Sequence, residues 1–399
     1  YWSVSGVFQN DESDINAKLI KIGDKKIATG TSFDKKTGKL FNEGDIVLNE
    51  KLINAFQEKL KSDIWKVKKL EKKPVTQKPY APFITSTLQQ EGIRQFRMSA
   101  QNVMRTAQTL YENGYITYMR TDSVHLSKEA ISASRKAIEK LYGKDFLPSS
   151  PIQYSNKVKN AQEAHEAIRP AGSTFKHPDD LKNKLDANQL KLYSLIWKRT
   201  LASQMKNAKI ERTNLWISND EYTFEAKGKI VLFPGFLKVY VEATENKKDR
   251  DDTELILPDI KEGESLNCIA LDSKQHLTKP INRFTEASLV KELEKLGIGR
   301  PSTYAAIIKK IQDKEYVNKV NGAMIPTFTA YAIVQFLEKY FDDLVNLKYT
   351  SNMEDELDSI SRGEDNKIDY LNIFFEGLKN KLEQEFDKNN ARLISSFDD

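Results

Sequence analysis

The sequence predicts a multidomain protein of mixed α and β structure: a β-rich domain interrupted by a mostly helical insertion, then a helical domain containing a winged-helix-like unit. Three observations carry this. Strand-like alternation with turn punctuation fills residues 1–78 and returns over 207–283. Helical periodicity fills 79–206, and 284–399 reads as helices around a short hairpin. Pairing the two β segments in one domain makes 79–206 the insertion.

A chain of 399 residues can build two or three domains with real cores. Lys+Arg exceed Asp+Glu by 62 to 57, so the net charge of +5 does not require a nucleic-acid partner, although an uneven distribution leaves room for a basic channel. The single Cys268 excludes an internal disulfide and a Cys-based zinc site. No apolar run is long enough to span a bilayer, and no signal peptide is evident. The opening YWSVSGVF starts directly in strand alternation at Tyr1, so the chain reads as a piece of something longer.

In order, strands are expected at 2–8, 18–22 and 64–70, with a helix near 52–60 and a charged turn at Asn10-Asp11-Glu12. Lys66, Lys68 and Lys69 read as a solvated strand edge. Pro74, Pro79 and Pro82 mark a boundary, after which Thr85, Ser86 and Thr87 open a helix as a plain cap and hinge. Ser99 caps a helix ending at Gly114, with Val103, Met104, Ala107, Leu110 and Tyr111 as its apolar stripe and Arg105, Gln108 and Glu112 on a separate polar face. Ser127 caps another helix, His165 sits with Glu166 and Arg169 on an expected helical turn, and 186–206 is helical. Further strands are expected at 215–217, 222–226, 239–241 and 266–270, with 246–252 as a hairpin tip. Thr285 caps a helix over 287–296. The chain turns at Gly297-Ile298-Gly299-Arg300, Pro301-Ser302 start a second helix, and Asn321-Gly322 signals a primed hairpin turn. Helices are expected over 328–341, 352–360 and 368–386, with Glu354-Asp355-Glu356 offsetting a helix dipole rather than holding a metal.

The stretch that organises the rest is 115–127, YITYMRTDSVHLS. If extended, its period of two puts Tyr118, Arg120 and Asp122 on one side and Thr117, Met119 and Thr121 on the other. A phenol and a guanidinium then share a face. That pair suits attack on a phosphodiester, the phenol oxygen as nucleophile and the arginine fork gripping phosphate oxygens.

This stretch, PYAPFITSTLQQEG at 79–92, AQEAHEAIRP at 161–170 and GIGRPSTY at 297–304 resemble, in order and spacing, the bacterial topoisomerase I branch of the type IA DNA topoisomerases. The resemblance covers almost the whole chain. It implies a toroidal core in which the β-rich segments form an arch and the helical insertion carries the catalytic tyrosine. The implied reaction is transient cleavage and religation of single-stranded DNA through a 5′-phosphotyrosine, relaxing negatively supercoiled DNA without ATP.

The resemblance implies catalytic roles for Tyr118, Arg120, Glu112 and His165, with Glu112 or His165 as candidates for moving the phenol proton. It implies DNA contacts by Gln108, Thr117, Thr121, Asp122, Arg169, Arg300, Ser302 and Thr303. Mg²⁺ is expected to act in the full-length enzyme through ligands outside this chain, with no metal site and no zinc here. The expected setting is a bacterial cytoplasmic, nucleoid-associated monomer acting on single-stranded and negatively supercoiled DNA, with no membrane partner and little turnover by residues 1–399 alone. Hinges are expected near 74–82 and 206–213. A non-catalytic winged-helix DNA-binding protein is the alternative, but it leaves the Tyr118 and His165 motifs idle. A tyrosine recombinase would need its nucleophile near the C-terminus.

Overall fold

The computed structural model describes residues 1–10, 13–62, 64–155, 165–219, 221–243 and 254–385. The expected hairpin tip at 246–252, the end of the Asn10-Asp11-Glu12 turn and residues 161–164 lie outside them. The chain forms two compact units, one from 1–81, 128–153 and 198–282, the other from 82–127, 154–197 and 283–399.

In the first unit, strands β1 (Trp2–Gln9), β2 (Asp14–Ile22), β3 (Lys25–Lys26), β4 (Ile64–Gln77), β5 (Ala208–Ser218), β6 (Tyr222–Phe233) and β7 (Ser265–Gln275) form one antiparallel sheet in the order β1-β7-β4-β5-β6-β2-β3. Because β1 also pairs with β2, the sheet curls back on itself into a barrel. Alternate residues point inward, and Phe8, Trp65 and Phe224 meet edge to face with ring centroids 4.9–5.2 Å apart. The Trp65 indole N–H donates to the Leu60 carbonyl of α1 (Glu50–Ser62), which satisfies the one polar atom of that buried ring.

Several expectations change here. Strand β4 runs through Pro74 to Gln77, paired with β5 down to Ala208, so the hinge expected at 74–82 and 206–213 begins as a hydrogen-bonded ladder. Pro74 is tolerated because β7 flanks only Ile64–Lys66, leaving β5 as the single neighbour at the proline. The strand expected at 239–241 follows a 3₁₀ turn, Gly235–Lys238, and is irregular.

The remaining helices are α2 (Thr85–Phe96), α3 (Ala100–Glu112), α4 (Lys128–Tyr142), α5 (Ala187–Ser203), α6 (Glu286–Leu296), α7 (Tyr304–Asp313), α8 (Phe328–Tyr340), α9 (Asp342–Val345), α10 (Leu347–Ser361) and α11 (Lys367–Glu385). Ser99 and Thr285 cap α3 and α6 by accepting the amides of Asn102 and Ser288. Gly297 ends α6 in the left-handed region at φ 70°. The hairpin of β8 (Val317–Val320) and β9 (Ala323–Pro326) turns through Asn321 and Gly322, both at positive φ as a type I′ turn requires. Ala100, Val290, Leu293, Tyr304, Ile308 and Met324 join α3, α6, α7 and the hairpin in one core.

Two carboxylates, Glu286 buried and Glu294 half-buried, pin this core. Glu286 accepts the Ala100 amide at the start of α3 (2.7 Å) and pairs with Lys319 of the hairpin (2.7 Å). Glu294 accepts the Ser86 hydroxyl of α2 (2.7 Å), and burial raises its pKa despite that bond. Among the described residues, no helix is long and apolar enough to cross a membrane.

Candidate active site

Helix α3 ends at Gly114, whose φ of 70° turns the chain toward 115–125. This stretch is irregular rather than a strand. Its anchors are scattered: Ile116 bridges Pro170, the Thr117 amide donates to the Arg169 carbonyl, and the Ala167 amide donates to the His125 carbonyl. The antiparallel contact of 115–117 with 169–171 stops at the single Ile116–Pro170 bridge, and no longer ladder forms among the described residues.

The period of two nevertheless survives in which side chains are covered. Met119, Thr121 and Ser123 are buried, while Tyr118 and Arg120 are exposed and Asp122 is half-buried. Thr85 fixes this parity from α2. Its amide donates to the Thr121 carbonyl, its hydroxyl accepts the Thr121 amide at 2.9 Å, and the hydroxyl proton reaches the Met119 carbonyl at 2.8 Å. Tyr118 is 42% exposed, its ring edge to face with Tyr111 of α3 at 5.2 Å. Tyr111, read as a core residue, is instead a largely open side chain supporting the phenol.

Beside this stretch lies an open polar pocket of about 320 Å³. Gln101, Arg105 and Gln108 line it from one stripe of α3, Arg120 from the loop, and Ser302 and Lys309 from the start and body of α7. Lys309 pairs with Asp313, and Gln108 donates to Glu112 at 2.8 Å. No carboxylate pairs with Arg105 or Arg120 among the described residues. A polar recess with two unneutralised guanidinium groups fits an anion such as a phosphodiester.

The other expected site residues fall elsewhere. Thr121 is buried and accepts the Ser123 amide, and Thr117 is turned inward, donating to the Ala167 carbonyl and accepting the Arg169 amide. Arg169 is buried, forked onto Glu166 by two 2.9 Å bonds, with its remaining donors on the carbonyls of Pro170 and Gly172. These three brace the loop, and none of them offers DNA a free group in this conformation. Residues 165–170 are extended, not a helical turn, because bridges from Ile168 to Phe83 and from Pro170 to Ile116 hold them open. His165 is half-buried and does not line the pocket.

Arg300 also departs from expectation, since it bonds Asp358 (2.8 Å) and Asp355 (3.2 Å) and donates to the carbonyls of Gly297 and Gly299. Burial opposes its charge, but the Asp358 bond and the surrounding carboxylates outweigh burial and raise its pKa. Thr303 caps the same turn by accepting the Arg300 amide. Glu354 accepts the Gly299 amide and Asp355 pairs with Arg300, so two carboxylates of the acidic cluster on α10 hold the turn between α6 and α7. Among the described residues, no three His, Cys, Asp or Glu side chains converge to hold a metal ion.

Sequence reasoning put Arg105 on the polar face of Gln108 without giving it a site role, and missed Gln101 and Lys309. Gln101 was visible one turn before Arg105 on the same stripe, whereas Lys309 belongs to a helix whose docking no local pattern reveals.

The family profile for DNA topoisomerases matches residues 1–372. The chain is 45% identical over 386 residues to DNA topoisomerase 1 of Synechococcus elongatus, covering 96% of this chain and 44% of that protein. It is 45% identical over 398 residues to DNA topoisomerase 1 of Mycolicibacterium smegmatis, covering 96% of this chain and 42% of the relative. Full-length topoisomerase I from Thermotoga maritima superposes with a TM-score of 0.74 at 32% identity, over 98% of this chain and 59% of that one. The chain thus spans less than half the length of the curated relatives it matches. With a profile covering nearly its whole length and these relatives agreeing, the chain belongs to the bacterial type IA DNA topoisomerase family.

Proposed function

We propose that this chain is the tyrosine-bearing part of an enzyme that cuts and rejoins single-stranded DNA. The carrying observation is that Tyr118 and Arg120 stand exposed on either side of buried Met119, beside a pocket whose Arg105 and Arg120 have no acidic partner among the described residues. The Tyr118 oxygen attacks a phosphorus atom, the bond to the 3′ oxygen of the preceding sugar breaks, and that oxygen leaves with a proton as a free 3′ hydroxyl. The 5′-phosphotyrosine keeps the bond energy for the reverse step, so no nucleotide cofactor is needed. Arg120 neutralises charge on the phosphate oxygens.

A free phenol ionises at about pH 10, so a base must accept its proton. Glu112, next to Tyr111 in sequence and held by Gln108 one turn earlier, and His165 are the candidates within the chain. Family members use Mg²⁺, which would balance phosphate charge during rejoining. The described residues do not fit it, and no step here passes through it.

The finer architecture follows the same reading. The β-rich unit serves as an arch, and α6, α7 and the β8-β9 hairpin serve as a winged helix, in a toroidal core of a monomeric bacterial cytoplasmic enzyme acting on negatively supercoiled DNA. The whole-length activity belongs to the longer protein, and residues 1–399 alone are expected to bind DNA weakly with little turnover.

The test is a denaturing gel of the longer protein with end-labelled single-stranded oligonucleotide. Tyr118→Phe should abolish the protein-linked band while leaving binding intact, and the adduct should carry label from the 3′ side of the break. An adduct that persists in Tyr118→Phe, or one attached through a 3′ phosphate, defeats the proposal.

A further inference from the structure

The walls of the pocket beside Tyr118 are tied to one helix that does not line it. Gln101, Arg105 and Gln108 come from α3, Arg120 from the loop, and Ser302 and Lys309 from the start and body of α7. Among the described residues, α6 contributes no lining side chain, yet its carboxylates reach two of these walls. Glu286 accepts the Ala100 amide at 2.7 Å, immediately before Gln101. Glu294 accepts the Ser86 hydroxyl at 2.7 Å, and the neighbouring Thr85 holds the loop through the Met119 carbonyl and the Thr121 amide. The third wall follows from the chain itself, since α6 runs through the turn at 297–300 into α7. At 1.5 Å of rise per residue, Glu286 and Glu294 lie about 12 Å apart along the axis, so one rigid helix spaces the start of α3 from the peg of the loop.

Stability does not account for Glu294. Burial raises its pKa in spite of the Ser86 bond, so the carboxylate is held against its own solvation. Replacing both partners of such a bond by apolar groups of similar shape is often neutral or stabilising. Helix α2 shows the same preference for polar contacts, burying Thr85, Ser86, Gln89, Gln90 and Glu91. A helix packed for stability alone would bury apolar side chains there. Directional bonds fix one orientation where apolar packing tolerates several.

We propose that α6 is the frame of the pocket, with Glu294 a positioning residue that sets Arg120 against α7 through Ser86 and Thr85. The inference rests on the reading that this pocket holds the phosphate attacked by Tyr118. It adds a residue that acts on that phosphate without touching it.

The test is single-turnover cleavage of end-labelled single-stranded oligonucleotide by the longer protein, with DNA affinity and melting temperature measured on the same samples. Ser86→Ala/Glu294→Met should melt no lower than wild type and bind DNA as well, because backbone phosphate contacts outside the pocket carry affinity. Its maximal cleavage rate should nevertheless fall roughly 5- to 10-fold, the value of one lost orienting bond. Each single substitution should slow cleavage by the same factor as the pair, since both remove one bond. Glu294→Gln keeps an acceptor for Ser86 and should stay near wild type. A double variant that cleaves at the wild-type maximal rate overturns the inference, as does a loss of rate matched by a loss of melting temperature. Equal slowing in Glu294→Gln and Glu294→Met also overturns it, because the charge and not the bond would then act. If wild type forms no adduct through Tyr118, the cleavage reading falls and this inference with it. If wild type cleaves and the variants match it, only the role of α6 falls.

Discussion

Tyr111 and Tyr118 meet edge to face, ring centroids 5.2 Å apart and planes at 67°. One ring belongs to the last turn of α3 and the other to the loop that follows Gly114, so the contact fixes where an otherwise open phenol points. Edge-on aromatic pairs are worth about 0.5–1.5 kcal/mol beyond area. Tyr111→Ala should therefore slow single-stranded cleavage by about 2- to 10-fold in a single-turnover assay. Tyr111→Phe keeps the ring and should stay near wild type. Equal losses in both would mean that the Tyr111 hydroxyl, and not its edge, matters.

Thr85 is the peg on which the reactive loop hangs. Its buried hydroxyl serves one amide and one carbonyl of 119–121 at once. Thr85→Val preserves shape but leaves the Thr121 amide and the Met119 carbonyl without that partner, at a cost of about 1–3 kcal/mol. Chemical denaturation should show that loss. Cleavage should fall further than stability alone explains, because the exposed parity of Tyr118 and Arg120 depends on this bond. Thr85→Ser should recover both.

Arg105 lines the pocket between α3 and α7 with no acidic partner among the described residues. Arg105→Ala should weaken single-stranded DNA binding uniformly across sequences and reduce the salt slope by about 0.7. A lysine should recover part of the affinity, since a point charge replaces a fork. Sequence-dependent loss would instead assign the pocket to a base.

Helix boundaries, caps and the Asn321-Gly322 turn could be read from the chain because each is set by residues within one turn of it. The exposed parity of Tyr118 and Arg120 was legible for the same reason. The alternation at 115–127 does not make a strand, because period-two exposure needs only extended backbone, whereas a ladder needs a neighbour paired along its length that the sequence does not advertise. Arg169 and Arg300 are expected to contact DNA from the family resemblance and, for Arg300, from its place at a helix start. In this conformation their guanidinium groups are held by Glu166 three residues away and Asp358 some sixty away, partners that no local pattern reveals. The pocket was invisible for a related reason, since it arises where α3, the loop and α7 are brought side by side.

The Glu166–Arg169 clasp gives the active-site loop a pH dependence whose sign can be worked out. Burial disfavours the Glu166 carboxylate, but bonds from Arg169 and from the Ser127 amide outweigh it, holding its pKa below the ordinary 4.5. A carboxyl with a depressed folded pKa contributes stability that is fully present above its unfolded pKa and fades as pH falls through the folded value. Glu166→Gln removes that contribution and leaves buried Arg169 without its counter-charge, costing about 1.5–3 kcal/mol at neutral pH. The gap in melting temperature between wild type and variant should thus be widest near pH 7 and narrow steadily below about pH 4.5. A gap that stays constant down to pH 3 would show that the clasp works by shape alone. In that case Arg169→Lys, which cannot fork, should destabilise the protein as much at low pH as at neutral pH.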